Sequence, residues 1–155
     1  MDTLALRHAL GRFATGVTIV TCRGPDGRFE GLTMNSFNAL SLEPPLVLWA
    51  LRRVSHLVPA FTQATHFAVN VLAESQQALA TRFAGPVADR FAEGDWHCKP
   101  DGAPVLTGAT AVFECVPVQH QALGDHLLFV GEVQRFTDAD LPPLVFHGGR
   151  FRGLR

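Results

Sequence analysis

Gly31-Leu32-Thr33-Met34-Asn35-Ser36-Phe37-Asn38-Ala39-Leu40-Ser41-Leu42-Glu43-Pro44-Pro45-Leu46-Val47-Leu48-Trp49-Ala50-Leu51 changes character half-way along. Residues 46–51 read as a buried strand entered through Pro44-Pro45. Before them stand Thr33, Asn35, Ser36, Asn38 and Ser41, small polar side chains crowded among Phe37 and Leu40. Polar groups bound for an interior need partners. Either these bond the local backbone in turns, or they face a polar ligand.

Upstream, Val17-Thr18-Ile19-Val20-Thr21-Cys22 is a strand rich in β-branched residues. Gly24-Pro25-Asp26-Gly27 is a turn, because Pro presets φ and Gly accepts a positive one. Residues 28–36 return as the partner strand of a hairpin. Residues 3–13 predict a helix with Leu6, Leu10 and Phe13 on one face, capped by Asp2 or Thr3 and ended by Gly16.

Downstream of residue 51 a short helix is expected, with Ser55 as its N-cap. Phe67-Ala68-Val69-Asn70-Val71-Leu72 is another strand. Glu74 to Ala84 is a second helix with Ala78, Leu79 and Phe83 inward. Residues 85–105 are punctuated by Gly85, Pro86, Gly94, Pro100, Gly102 and Pro104, and suit a lid or a dimer-contacting excursion. Two strands follow, 109–118 and 127–134. The second alternates, with Leu127, Phe129 and Val133 on one side and Leu128, Val130, Glu132 and Gln134 on the other. Gly124-Asp125-His126 lies between them, and a last strand, Leu144-Val145-Phe146, runs into His147-Gly148-Gly149. Six or seven turn-linked strands with short helices predict a mainly β fold, an antiparallel barrel or sandwich with peripheral helices.

At 155 residues the chain is expected to form a single domain over 1–155. It is 47% hydrophobic and 17% charged with a net charge of −1, so no basic excess points to nucleic acid. No apolar window reaches the length of a membrane span, and Asp2, Arg7 and Arg12 argue against a signal peptide. Cys22, Cys98 and Cys115 are odd in number and form no CxxC, which fits reduced thiols in a cytoplasmic protein. Twelve Phe and no Tyr leave no phenol to donate a proton.

The seven histidines form no HxxxH or HExxH, so no metal site is expected. GxSxG, a Walker loop and GxGxxG are all absent. What remains is ligand binding by peptide groups and small hydroxyls, and three pieces bear on it. The first is the polar run Gly31 to Leu42, suited to a heteroaromatic ring and a ribityl or phosphate chain, or equally to a connection that satisfies itself. Second comes Arg52-Arg53-Val54-Ser55, either a phosphate seat at a helix start or two solvated arginines beside an ordinary cap. Third is Gly124-Asp125-His126, either a plain hairpin turn or an imidazole placed at a barrel mouth.

Taken in order, these pieces resemble the flavin reductase-like family, the FMN-binding split barrel proteins. The resemblance runs through Phe13-Ala14-Thr15-Gly16-Val17-Thr18-Ile19-Val20-Thr21, Gly31 to Phe37, Ser41 to Val47, Phe67 to Leu72, Phe83-Ala84-Gly85, Gly124-Asp125-His126 and Phe129-Val130-Gly131-Glu132-Val133. It implies a six-stranded antiparallel Greek-key split barrel that forms a homodimer, with flavin near the interface. The implied activity is reduction of FMN or FAD by NADH or NADPH, hydride passing from nicotinamide to flavin. Reduced flavin would then go to a separate monooxygenase.

By resemblance, Thr33, Met34, Asn35, Ser36, Ser41 and Leu42 would hold the isoalloxazine and ribityl. Leu51, Arg52, Arg53 and Ser55 would take the phosphate end, and Arg82 and Phe83 would close over the tail. His126 would position the nicotinamide. Phe146 and His147 stand in a terminal stretch where the family often carries tyrosines, which keeps ring stacking and loses a phenolic hydrogen bond. Two other readings fit the same features: a flavoprotein that keeps its flavin and reduces another acceptor, and a non-enzymatic flavin-binding protein.

Overall fold

The computed structural model describes residues 1–155. Helix α1 is Thr3–Leu10, followed by strands β1 (Thr15–Gly16), β2 (Thr18–Arg23), β3 (Phe29–Met34), β4 (Asn38–Leu42) and β5 (Pro45–Arg52). Helix α2 (Val58–Gln63), β6 (Phe67–Val71), a 3₁₀ turn at Glu74–Gln76 and α3 (Gln77–Ala84) come next. The chain then forms a 3₁₀ turn at Arg90–Ala92, β7 (Trp96–His97), β8 (Val105–Leu106), β9 (Ala111–Leu123), β10 (His126–Asp138), β11 (Val145–His147) and β12 (Arg150–Arg152). No helix is long and apolar enough to cross a membrane.

The main sheet is antiparallel throughout, in the order β3-β2-β6-β9-β10-β5-β4. It has seven strands rather than six, because the polar run also forms a strand: β4 folds back on β5 through a turn with a cis Glu43-Pro44 peptide. The edges β3 and β4 do not pair, so the sheet stays open between them. A smaller sheet joins β1, β11 and β12, and β7 pairs with β8.

Two cores sandwich this sheet. Val20, Cys22, Val47, Trp49, Leu51, Phe67, Val69, Cys115 and Phe129 meet Leu57 and Phe61 of the α2 segment on one side. Val17, Ile19, Leu72, Ala80, Phe83, Leu106 and Leu144 form the other. β2 serves both, which is why its residues from Thr18 to Cys22 are all buried. Buried Asn70 ties the layers together: its amide donates to the Ile19 carbonyl, and its oxygen accepts from the Leu106 N–H. Cys22 and Cys115 are free, buried thiols, each pushed up to about 12 by burial, so both stay protonated and inert.

Helix α1 is shorter than expected, ending at Gly11, and Asp2 caps it by accepting from the Leu4 and Ala5 amides. None of its residues is buried, so Leu6 and Leu10 of the expected inward face lie exposed, as does Phe13 beyond it. Helix α3 starts after its 3₁₀ turn, which shifts its phase: Ala80 and Phe83 are buried, while Ala78 is exposed. β9 and β10 run well past the expected strands because the extension of each pairs with the near part of the other, 119–123 with 126–130 and 135–138 with 111–114. The terminal strand turns at Gly148-Gly149, both with positive φ, into the unexpected β12.

Candidate active site

The run of small polar residues splits into two kinds. Thr33 and Ser36 are spent inside the fold. The Thr33 hydroxyl donates to the Ala80 carbonyl at 2.7 Å, fastening β3 to α3. The Ser36 hydroxyl donates to the Ala50 carbonyl and accepts from the Ala50 amide, each at 3.0 Å. Ala50 pairs on its other side with Leu128 of β10, so Ser36 takes the place of a missing strand rung. Met34 leans on the inner core, and its carbonyl accepts from the Thr18 hydroxyl.

Asn35 and Ser41 are the other kind: neither side chain makes a hydrogen bond within the chain, and Asn35 is exposed. Asn35 precedes β4 and Ser41 lies within it; the outer edge of β4 pairs with nothing and the strand carries Leu40 and Leu42, the latter 93% exposed. An open edge of this kind presents peptide N–H and C=O groups in a row. That is what a heteroaromatic ring with alternating donors and acceptors can use.

One end of the cradle is set by register. Arg52 lies directly opposite His126 in the β5–β10 ladder. The Arg53 amide donates to the Asp125 carbonyl at 3.0 Å, and its guanidinium donates to the Gly124 carbonyl at 3.2 Å. Thus two of the three pieces read separately along the sequence form one unit. Gly124 makes the tight reversal with a φ of +58°. His126 Nδ1 sits 2.7 Å from the Asp125 carboxylate, which fixes the ring's orientation. That carboxyl is held below its ordinary value, first by the His126 hydrogen bond, then by the imidazole's charge and, more weakly, by Arg52. Sequence reasoning named His126 and passed over Asp125 as its partner, although the adjacent carboxylate was the available signal.

The expected helix start after Arg53 is not there. Helix α2 begins at Val58, and Ser55 instead accepts from the Leu57 amide within the preceding turn. The residues that follow Arg53 form turns rather than a helix, so the two arginines answer to the Gly124–His126 reversal. Leu51 is a core residue, able to offer a ligand only its backbone. Phe83 is fully buried under the sheet. Arg82 donates to the carbonyls of Asp89 and Arg90, anchoring the irregular segment. Arg90, which no sequence feature singled out, donates to the Gly31 and Gly85 carbonyls at 2.7 and 3.0 Å. Phe146 and His147 lie in the small sheet, Phe146 paired with Phe151 and packed on the second core. No hydrogen bond links either to β4, β5 or the Gly124–His126 turn.

These observations define a mainly β protein built on an open antiparallel sheet, with a histidine-bearing reversal set beside two arginines at one end. Residues 10–155 match the flavin reductase like domain, and the chain belongs to that family. It is 46% identical over 150 residues to the FMN reductase (NADH) SmoA of Agrobacterium fabrum, covering 97% of this chain and 85% of that protein. It is 40% identical to the reductase component of the flavin-dependent trigonelline monooxygenase of Acinetobacter baylyi, covering 94% of this chain but 47% of that one. Its fold matches the NADH:FAD oxidoreductase SgcE6 of Streptomyces globisporus, solved with NAD and FAD fragments. The TM-score is 0.93 at 38% identity, covering 99% of this chain and 93% of that one.

Proposed function

We propose that this protein is an NAD(P)H-dependent flavin reductase that passes hydride from NADH or NADPH to FMN or FAD and supplies reduced flavin to a separate monooxygenase. The observation that carries the reading is the meeting of Arg52, Arg53 and His126 at one end of a sheet whose neighbouring edge is open. Relatives named as an NADH-dependent FMN reductase and as a monooxygenase reductase component support it.

The residues fit the cofactors. Bound flavin supplies the hydride-accepting chemistry, with the reduced nicotinamide as donor. The chain's part is to bind, orient and keep water out. Asn35, Ser41 and the free peptides of β4, down to Leu42, bear on the ring and ribityl. Met34 shapes the floor, while Thr33 and Ser36 hold that surface in place. Arg52 and Arg53, with the Leu51 backbone and the Ser55 turn, serve the phosphate end. Arg82 braces the segment over the tail, and Phe83 supports it from the core. His126, steadied by Asp125, positions the nicotinamide.

The functional unit is a homodimer of single domains spanning 1–155. Exposed Leu4, Leu6, Leu10 and Phe13 give it a contact surface. Phe146 and His147 then serve the site from the interface. Three free cysteines suit a reducing compartment, and we place the protein in the cytoplasm. Steady-state oxidation of NADH and NADPH with FMN, FAD and riboflavin in turn tests the reading. Oxidation that depends on added flavin is expected. No flavin-dependent oxidation with either nucleotide would overturn it. A yellow protein that keeps its colour through dialysis and needs no added flavin would replace it with a flavin-retaining enzyme.

A further inference from the structure

We infer that Arg90 is a positioning residue for flavin: it fixes the β3 side of the opening in the main sheet and so sets how tightly the cofactor is held. The inference rests on the flavin reductase reading, in which the open side of the sheet receives the ring.

The main sheet begins at β3 and ends at β4. Residues 35–37 join these two edge strands, yet the strands do not pair, so each is one lip of the opening. The β4 lip is held by β5, to which Ser36 is also bonded. The β3 lip pairs with β2 alone. Two further hydrogen bonds secure it: Thr33 donates to Ala80 of α3, and the Gly31 carbonyl accepts from Arg90 Nη1 at 2.7 Å.

Arg90 is built for that task. Its Nη2 donates to the Gly85 carbonyl, just past α3, at 3.0 Å. Arg82, in the last turn of α3, reaches the other way, donating to the Arg90 carbonyl at 2.9 Å and to the Asp89 carbonyl. Each arginine's side chain thus grips backbone across the loop from itself, closing residues 82–90 into a clasp. The half-buried Arg90 guanidinium makes no ion pair, and its planar fork spans two carbonyls that a single ammonium could not hold together. Phe91 completes the contact. A Cβ at Gly31 would meet its ring at 3.1 Å, so no side chain intervenes between clasp and strand. Phe91 also packs on Phe83 at 5.0 Å and on Trp96 at 4.9 Å. Arg52 and His126 sit on β5 and β10, towards the opposite end of the strand order. Loss of Arg90 therefore loosens flavin without moving the nicotinamide's partner.

Arg90→Met keeps an unbranched stem and removes both bonds. Its dissociation constant for FMN, read by flavin fluorescence, should rise about tenfold, chiefly through faster release. At saturating FMN, kcat and KM for NADH should stay near the parent's values. Arg90→Lys keeps the charge but not the fork, and should shift the affinity the same way by less. Val69→Ala, a core change in β6 away from the clasp, separates grip from stability: it should lower the melting temperature and leave FMN affinity alone. FMN held as tightly by Arg90→Met as by the parent would overturn the proposal. So would an equal loss of affinity in Val69→Ala. If the methionine variant does not fold, the lysine variant decides, and parent-like FMN binding by it overturns the proposal. A parent that neither binds nor reduces FMN would sink the flavin reading, and the proposal with it, whereas a parent active with FMN beside an unaffected Arg90 variant sinks the proposal alone.

Discussion

Ser36 donates from its hydroxyl to the Ala50 carbonyl and accepts there from the Ala50 amide, and the same oxygen also lies 3.7 Å from the Met34 sulfur. Replacing it with alanine leaves an N–H and a C=O of β5 without partners in a half-buried place. Ser36→Ala should cost about 1–3 kcal/mol in a urea titration and weaken flavin binding, because the Asn35 corner loses its anchor. An unchanged midpoint would show that water replaces the hydroxyl freely. The His126 ring has a different task. Hydride transfer needs no general acid, so His126→Ala should raise KM for NADH by roughly tenfold while kcat falls far less. Loss of flavin reduction at saturating NADH would instead give His126 a chemical role. Asp125 steadies that ring, and its carboxyl is held low chiefly by the His126 hydrogen bond. A depressed carboxyl keeps its contribution above its unfolded value and loses it as pH falls through the folded one. Asp125→Asn should therefore raise KM for NADH at neutral pH. The gap to the parent should close only in acid, below the usual carboxylate range.

β5 shows which elements a sequence can announce. Its alternate residues Val47, Trp49 and Leu51 are buried, and Trp49 stacks on Phe129 at 4.2 Å with Phe61 and Phe67 edge-on. Trp49→Ala should cost about 3–5 kcal/mol in chemical denaturation. The indole N–H has no acceptor, so Trp49→Phe forfeits no hydrogen bond and should cost less than about 1.5 kcal/mol. A phenylalanine variant as damaged as the alanine one would mean the indole N–H has a partner after all. β2, β5, β6 and the Gly24–Gly27 turn were legible because burial and turn chemistry write themselves into residue types. β4 was not, since an edge strand with Leu40 and Leu42 facing out buries no face that patterning would reveal. The far halves of β9 and β10 were missed for the same reason: residues 118–123 and 134–138 are exposed and held by pairing alone. The candidate site divides similarly. Its parts were visible as Arg52-Arg53 and Gly124-Asp125-His126, while their meeting depends on the register of Arg52 against His126, which no local pattern encodes.

At the scale of the whole molecule, α1 is the feature a lone protomer does not explain. Asp2 caps it, so the helix is held ready, yet Leu4, Leu6, Leu10 and Phe13 all face solvent. Covering four such side chains is worth roughly 1.5–3 kcal/mol each, enough to support an association that must also offset lost freedom. The Gly148 amide donates to the Gly11 carbonyl, which sets the turn after His147 beside this helix. A second copy seated on α1 would thus bring its flavin cradle towards Phe146 and His147, the two site candidates that no hydrogen bond ties to their own chain's cradle. The double variant Leu6→Asp, Leu10→Asp carries two charges into that contact and removes nothing from either core. In sedimentation the parent should travel at twice its 16.8 kDa mass and the variant at that mass, still folded. The monomer should also bind flavin more weakly, since on this reading each site loses the partner's Phe146 and His147. A variant that remains dimeric would move the interface off α1. One that becomes monomeric with full flavin affinity would confine the site to a single chain and remove Phe146 and His147 from it.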